Sequence, residues 1–270
     1  MSDQVAGSYR PPDFAGTTAV VTGGGQGIGA AVAQALAGCG ARVVISGRHE
    51  DTLKAVADEI VASGGSCDWV AGSVADPGHV TQLMATAAGR DGVIHALVNN
   101  AGIAGPTTPL ADLSLEDWNE TIAVNLTGVF LCCREAIPYL RAAHRGKIVN
   151  IGSATGKRPL PNRTPYSAAK LGVVGLTRTL AHELGPDNIS VNTISPFAVD
   201  NPRLDRVIAK AAEVSGRTPA EVRDELTAGT AFGRGVTEED VARLTLMLCS
   251  SVADDMTGQD INMTAGLVMY

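Results

Sequence analysis

Aromatic residues are scarce: two Trp, four Tyr and four Phe make up 4% of the 270 residues. Without aromatics interleaved among cations there is no platform on which nucleic-acid bases could stack. Positive charge is also short. The 21 Lys and Arg stand against 28 Asp and Glu, a formal net charge of -7, which is the wrong sign for gripping a phosphate backbone. The five cysteines, Cys39, Cys67, Cys132, Cys133 and Cys249, are an odd number in no metal-like spacing. They predict neither a disulfide framework nor a zinc site, but free thiols in a reducing compartment. No apolar run approaches the roughly 20 residues that cross a bilayer, and the opening MSDQVAGSYRPPD lacks the apolar centre of a secretory signal. The expectation is a soluble, cytoplasmic protein with no metal and with neither nucleic acid nor membrane as a partner.

What is abundant points elsewhere. Hydrophobic residues make up 45% of the chain and glycine supplies 31 positions, enough for a large core and many tight turns. After a loose arm over 1–14, short apolar runs alternate with helix-period segments. Strands are expected near 18–21, 42–45, 68–71, 94–98, 147–151, 189–194 and 260–263. Helices are expected near 28–36, 51–62, 79–88, 164–184 and 238–248, with a long helical region over about 115–143. This rhythm predicts one α/β domain over 15–270, a mostly parallel seven-stranded doubly wound sheet with helices on both faces. The rhythm breaks over about 197–230, where mixed-charge helical sequence suggests a substrate lid.

The first strand runs into Thr22-Gly23-Gly24-Gly25-Gln26-Gly27-Ile28-Gly29. A diphosphate needs backbone N–H groups at close range and the positive end of a helix, and side chains there would block it. Gly23, Gly25, Gln26, Gly27, Ile28 and Gly29 are therefore candidate cofactor contacts. The spacing is T-G-x-x-x-G-x-G rather than the commoner G-x-G-x-x-G. Further along come Asn99-Asn100-Ala101-Gly102, Asn125, Ser153 and Tyr166-x-x-x-Lys170. In this order the motifs resemble the short-chain dehydrogenase/reductase family, closely over 17–195 and more loosely beyond.

That resemblance implies a Rossmann-type fold and hydride transfer between a nicotinamide and a carbonyl or secondary alcohol. Tyr166 and Lys170 are four apart on a predicted helix and share a face. A phenol near pKa 10 is a poor acid or base at neutrality, but a fixed ammonium beside it favours the phenolate, so Tyr166 can trade a proton with the substrate oxygen. Ser153 would hydrogen-bond the same oxygen. By resemblance Asn125 holds a relay water against Lys170, Lys170 grips the nicotinamide ribose, and Asn100, Ala101 and Gly102 line the cofactor. Singly, each residue type is commonplace on a helix face or in a turn; their shared order is what carries the reading.

The cofactor is expected to be NADP, with NAD as the alternative. Family members that take NAD carry an acid after the second strand. Here Gly47 occupies that position and Arg48, suited to a phosphate, comes next, with Ser46 as a possible further hydroxyl. Ser73 stands where many relatives have an adenine-contacting aspartate, with Val74 beside it. Pro196-Phe197-Ala198-Val199-Asp200-Asn201 replaces the usual Pro-Gly and downstream threonine. Pro196 and the backbone of Val199 remain candidates for the nicotinamide carboxamide, while Phe197 takes positive φ less freely than glycine.

The small-molecule substrate is left open between a 3-oxoacyl thioester and a small hydroxy-ketone or polyol. Lys157, Arg158 and Arg163 suggest an anionic group on it. A reading from another class, a non-catalytic nucleotide-binding scaffold, has no need of Ser153, Tyr166 and Lys170. The family also implies a homo-tetramer packed through the Asn125 and Tyr166 helices, with Leu126, Val129, Phe130 and Leu131 serving core or interface, and the apolar tail from Met263 to Tyr270 suits a subunit contact.

Overall fold

The computed structural model describes residues 12–270. The arm expected over 1–14 therefore lies outside the described residues except for its last three, of which Phe14 is buried and donates its N–H to Cys39 O at 2.8 Å. The strands are β1 (Thr18–Thr22), β2 (Arg42–Gly47), β3 (Ser66–Ala71), β4 (Ala96–Asn99), β5 (Gly146–Ile151), β6 (Ile189–Pro196) and β7 (Asp260–Met263). They form one sheet in the order β3-β2-β1-β4-β5-β6-β7, and every pairing is parallel.

Successive side chains on a strand point to opposite faces, and both faces here are apolar. Val21, Val43, Ile45 and Val98 face one core with Val32 and Leu36 of α1 (Gly27–Gly38), Leu53 and Ile60 of α2 (Glu50–Ala62), and a helix near the C-terminus. Val20, Val44, Leu97 and Ile148 face the other core with α3 (Pro77–Ala88) and two long helices described next. Near-continuous Val/Ile runs are thus buried on both sides, as a parallel sheet requires.

The long helical region expected over 115–143 is interrupted. α4 (Leu115–Ile122) passes into a π-helical turn at Ala123–Thr127, and α5 (Gly128–Ala142) continues from it. Asn125 is fully buried in this turn. Such bulges put one extra residue into a helix and re-aim a side chain. α6 (Thr164–Leu184) matches its expected bounds. The break in rhythm after β6 contains α7 (Pro202–Ser215) and α8 (Pro219–Ala228), and α9 (Glu238–Cys249) and β7 close the fold.

The chain order reverses between β1 and β4. In doubly wound sheets the crevice at the carboxyl ends of the strands on either side of that point is where ligands bind.

Candidate active site

The glycine turn, Asn100 to Gly102, Asn125, Ser153, Tyr166 and Lys170 come together at that crevice. β1 ends in Thr22, and the turn Gly23–Gln26 leads into α1, whose N-cap Gln26 offers no side-chain bond to the helix amides. The first-turn amides are therefore left without a side-chain cap. Gly23 takes φ +67°, and a Cβ on Gly29 would come within 2.1 Å of Gly23 O, so no other residue fits at that helix start. A bare helix terminus behind a turn without side chains fits a diphosphate.

Thr22 organises the opposite wall. Its hydroxyl accepts from the N–H groups of Asn100 and Ala101, both at 3.0 Å, and the Asn100 amide donates to Thr22 O at 3.0 Å and Gly23 O at 3.1 Å. Thr22 was quoted only as part of the glycine motif; its role as a clamp between the β1 and β4 loops needs the β1–β4 pairing. Asn99 points the other way, donating to Asn150 Oδ1 at 2.9 Å within the core.

Gly102 lies between Asn125 and Lys170: a Cβ there would be 2.7 Å from Asn125 Oδ1 and 3.8 Å from Lys170 Nζ. Asn125 bonds the backbone of Ile103 in both directions, at 2.9 and 3.0 Å, and Lys170 Nζ donates to Ile151 O at 2.6 Å. Ser153, at the end of β5, caps a short 3₁₀ turn by accepting from Thr155 N at 3.1 Å. These elements surround the Tyr166 phenol. Burial by itself would raise its pKa, but the positive charges of Arg203 and Lys170, the Ser153 hydroxyl and Arg163 outweigh that and bring it down to about 8. Burial, reinforced by Arg203, also pushes the Lys170 ammonium down.

Arg163 and Arg203 stand closest to the ring among the cations, with guanidinium carbons 4.9 and 5.8 Å from its centroid against 5.9 Å for Lys170 Nζ. Arg203 was not singled out from the sequence. It lies on α7, in a segment whose charges read alike until the fold brings one of them to the Tyr166 ring on α6. The anion-attracting trio expected over 157–163 is also corrected. Lys157 is committed to the buried Asp260 at 2.9 Å and to Asn262, since β7 brings a carboxylate behind it. Arg158 and Arg163 do line the cavity.

At the adenosine end, Arg48 is exposed in the turn after β2. Ser46 is turned away from that turn: it is fully buried, its hydroxyl 3.0 Å from His79 Nε2. Ser73 Oγ accepts from Ala75 N at 3.2 Å, and Val74 is buried. Beyond β6, positive φ falls on Ala198 (+48°) and not on Phe197, which is instead packed against Ala154 and Val268. Val199 bridges to Val236 through the neighbouring Ala198 O and Asp200 N, leaving its own N–H and C=O out of the pairing. Asn201, in the usual threonine's place, caps α7 at Arg203 N and Leu204 N and donates to Glu238 at 2.8 Å. Pro196 and Ile28 line a cavity of about 520 Å³ that also reaches Ser153, Tyr166 and Lys170.

A family model described as Enoyl-(Acyl carrier protein) reductase matches residues 23–268. The chain belongs to the short-chain dehydrogenase/reductase family. Among curated relatives, a cis-4-hydroxycyclohexanecarboxylate dehydrogenase of Sinomonas cyclohexanicum is 38% identical, with 94% of this chain and 97% of that protein covered. A 3-oxoacyl-[acyl-carrier-protein] reductase of Synechocystis is 36% identical over 93% and 97%. A crystal structure of an actinorhodin polyketide ketoreductase variant with NADPH superposes with a TM-score of 0.89 at 33% identity, covering 94% of this chain and 98% of that one. As a short-chain dehydrogenase/reductase the protein is an NAD(P)-dependent oxidoreductase that interconverts a carbonyl and a secondary alcohol, and the glycine turn, Thr22 clamp and free Val199 backbone fit such a cofactor. Among the described residues no helix is long and apolar enough to cross a membrane, and no three His, Cys, Asp or Glu side chains gather as a metal site would need.

Proposed function

We propose that the protein is an NADP-preferring ketoreductase for a 3-oxoacyl compound, with Tyr166, Ser153, Lys170 and Asn125 as its catalytic set. The observation that carries this is the gathering of Arg163, Arg203 and Lys170 at 4.9, 5.8 and 5.9 Å from the Tyr166 ring centre, positive charge that brings the phenol down to about pKa 8. At neutral pH it is mostly protonated yet only about one unit from losing its proton, as a general acid for carbonyl reduction should be. The bound nicotinamide supplies or accepts the hydride. Tyr166 gives its proton to the substrate oxygen, which Ser153 orients. Lys170 supports the phenolate left behind, and Asn125, tied to Ile103 and adjoining Lys170 across Gly102, positions the route by which the proton is replaced.

Arg48, exposed and in no ion pair among the described residues, supports the NADP preference. Ser73, Val74, Asn100 to Gly102, Pro196 and Val199 would hold the rest of the cofactor. We assign α7 and α8 as a lid over the substrate. Its inner face carries Leu204, Val207, Ile208 and Ala211 into the cavity, which suits an acyl chain better than a polyol. A homo-tetramer in the cytoplasm completes the reading, supported by five unpaired cysteines and by the exposed Phe130 and Leu171 on α5 and α6.

Tyr166→Phe removes only the phenolic oxygen. Cofactor binding by fluorescence titration should persist while kcat falls by orders of magnitude; turnover within a few-fold of the parent would overturn the assignment.

A further inference from the structure

Five cations line the cavity: Arg158, Arg163, Lys170, Arg203 and Arg217. Arg217 pairs with Glu225, Arg158 is exposed to water, and Lys170 donates to Ile151 O at 2.6 Å. Arg163 and Arg203 are in no ion pair among the described residues. Arg163 is only 6% exposed. Its Nη2 donates to Ala104 O at 2.8 Å, but Nε and Nη1 have no partner. The Arg203 side chain makes a single long hydrogen bond among the described residues, 3.5 Å to Gly102 O. Among the described residues Glu225 is the one carboxylate lining the cavity, and Arg217 occupies it.

A guanidinium removed from water without an anion is costly, and two that face one ring repel each other. Both costs are relieved if an anion enters between them. A carboxylate matches the planar fork of a guanidinium with two parallel bonds. With the guanidinium carbons 4.9 and 5.8 Å from the Tyr166 ring centre, such an anion sits within a few bonds of the oxygen that Tyr166 protonates. Arg203, weakly held on the lid, is the member that can move to admit it.

We propose that Arg163 and Arg203 form a subsite for a free carboxylate carried close to the reacting carbon, so that the substrate is an oxo or hydroxy acid and not its thioester. This rests on the ketoreductase reading above and narrows it. A thioester leaves both guanidiniums without a counterion; a 2- or 3-oxo acid neutralises them while its chain runs along the apolar face of α7.

The test compares oxidation of 3-hydroxyhexanoate and its methyl ester with NADP by the parent, Arg163→Gln, Arg163→Lys and Arg203→Gln, alongside calorimetric titration with hexanoate and hexan-1-ol. The parent should favour the acid in kcat/KM by roughly tenfold or more, the size of one charge-assisted hydrogen bond. Both Gln variants should collapse that ratio, and Arg163→Lys should restore part of it. If the arginines serve only to tune Tyr166, the variants slow acid and ester alike and the ratio stands, which overturns the subsite. Oxidation of the ester alone also removes the subsite but keeps the ketoreductase reading. Oxidation of neither, with hexanoate binding that is lost in Arg163→Gln and absent for hexan-1-ol, removes that reading and leaves the subsite standing.

Discussion

Tyr166 shows how residues far apart in sequence set one proton's affinity. Its burial opposes ionisation, and the largest force in the other direction comes from Arg203, ahead of the neighbouring Lys170. In the proposed mechanism the phenolate accepts the alcohol's proton in the oxidising direction, so kcat/KM should rise with pH and level off above about 8. In the reducing direction the protonated phenol is required, and the rate should fall across the same range. Arg203→Ala removes the strongest lowering influence, and the midpoint measured in a pH–rate profile should move up toward the ordinary tyrosine value. Thr22 acts through geometry. Thr22→Val keeps its shape but leaves the N–H groups of Asn100 and Ala101 without their acceptor. An unsatisfied buried group costs about 1–3 kcal/mol, and because these two are only part-buried urea unfolding should show a loss of about 1 kcal/mol together with weaker cofactor binding.

Among the elements, the β2–α2 connection is where the proposed NADP preference would be set. Gly47 has an ordinary backbone, and a Cβ there would meet only Leu53 at 3.4 Å, so an acid can be installed without strain. Gly47→Asp combined with Arg48→Ala should therefore fold normally and lower the NADPH-to-NADH preference in kcat/KM by an order of magnitude or more, since a carboxylate repels the extra phosphate and accepts from ribose hydroxyls instead. The α4–α5 interruption has another purpose. A continuous α-helix would advance about 100° per residue through Asn125; the π turn changes that phase and presents its amide to the Ile103 backbone. The lid helices begin on Asn201 and Thr218 caps, local stop-and-start signals that leave the lid's packing angle to be set by its contacts with the body.

At the scale of the molecule, two apolar cores clamp the sheet, and the helices α5 and α6 on one side still expose Phe130 (43%) and Leu171 (51%). The proposed tetramer covers them. Leu171→Asp puts charge on that face, and sedimentation velocity should show a shift to smaller species; an unchanged mass would place the interface elsewhere. Val129 and Leu131 are buried within the subunit, so of the four apolar residues around Asn125 only part could serve an interface. Val268 of the tail is buried, whereas Met269 and Tyr270 are exposed.

Strand and helix periodicity, the glycine turn after β1 and the Tyr166-to-Lys170 spacing are local patterns, and each was readable because the chemistry it reports, burial on a sheet face or a shared helix face, is decided within a few residues. The fold class could therefore be assembled from the sequence alone, whereas Ser153, Tyr166, Lys170 and Asn125 were named as the proposed catalytic set through the order of motifs shared with the family. The commitment of Lys157 to Asp260, the burial of the Ser46 hydroxyl against His79, the Thr22 clamp and the approach of Arg203 to Tyr166 could not. Each joins residues dozens to a hundred positions apart, and a charge or hydroxyl reads the same in sequence whether it faces water, a carboxylate or a phenol. Which partner it meets is decided only when the strands pair, β1 with β4 and β6 with β7, and the helices pack against the sheet and one another.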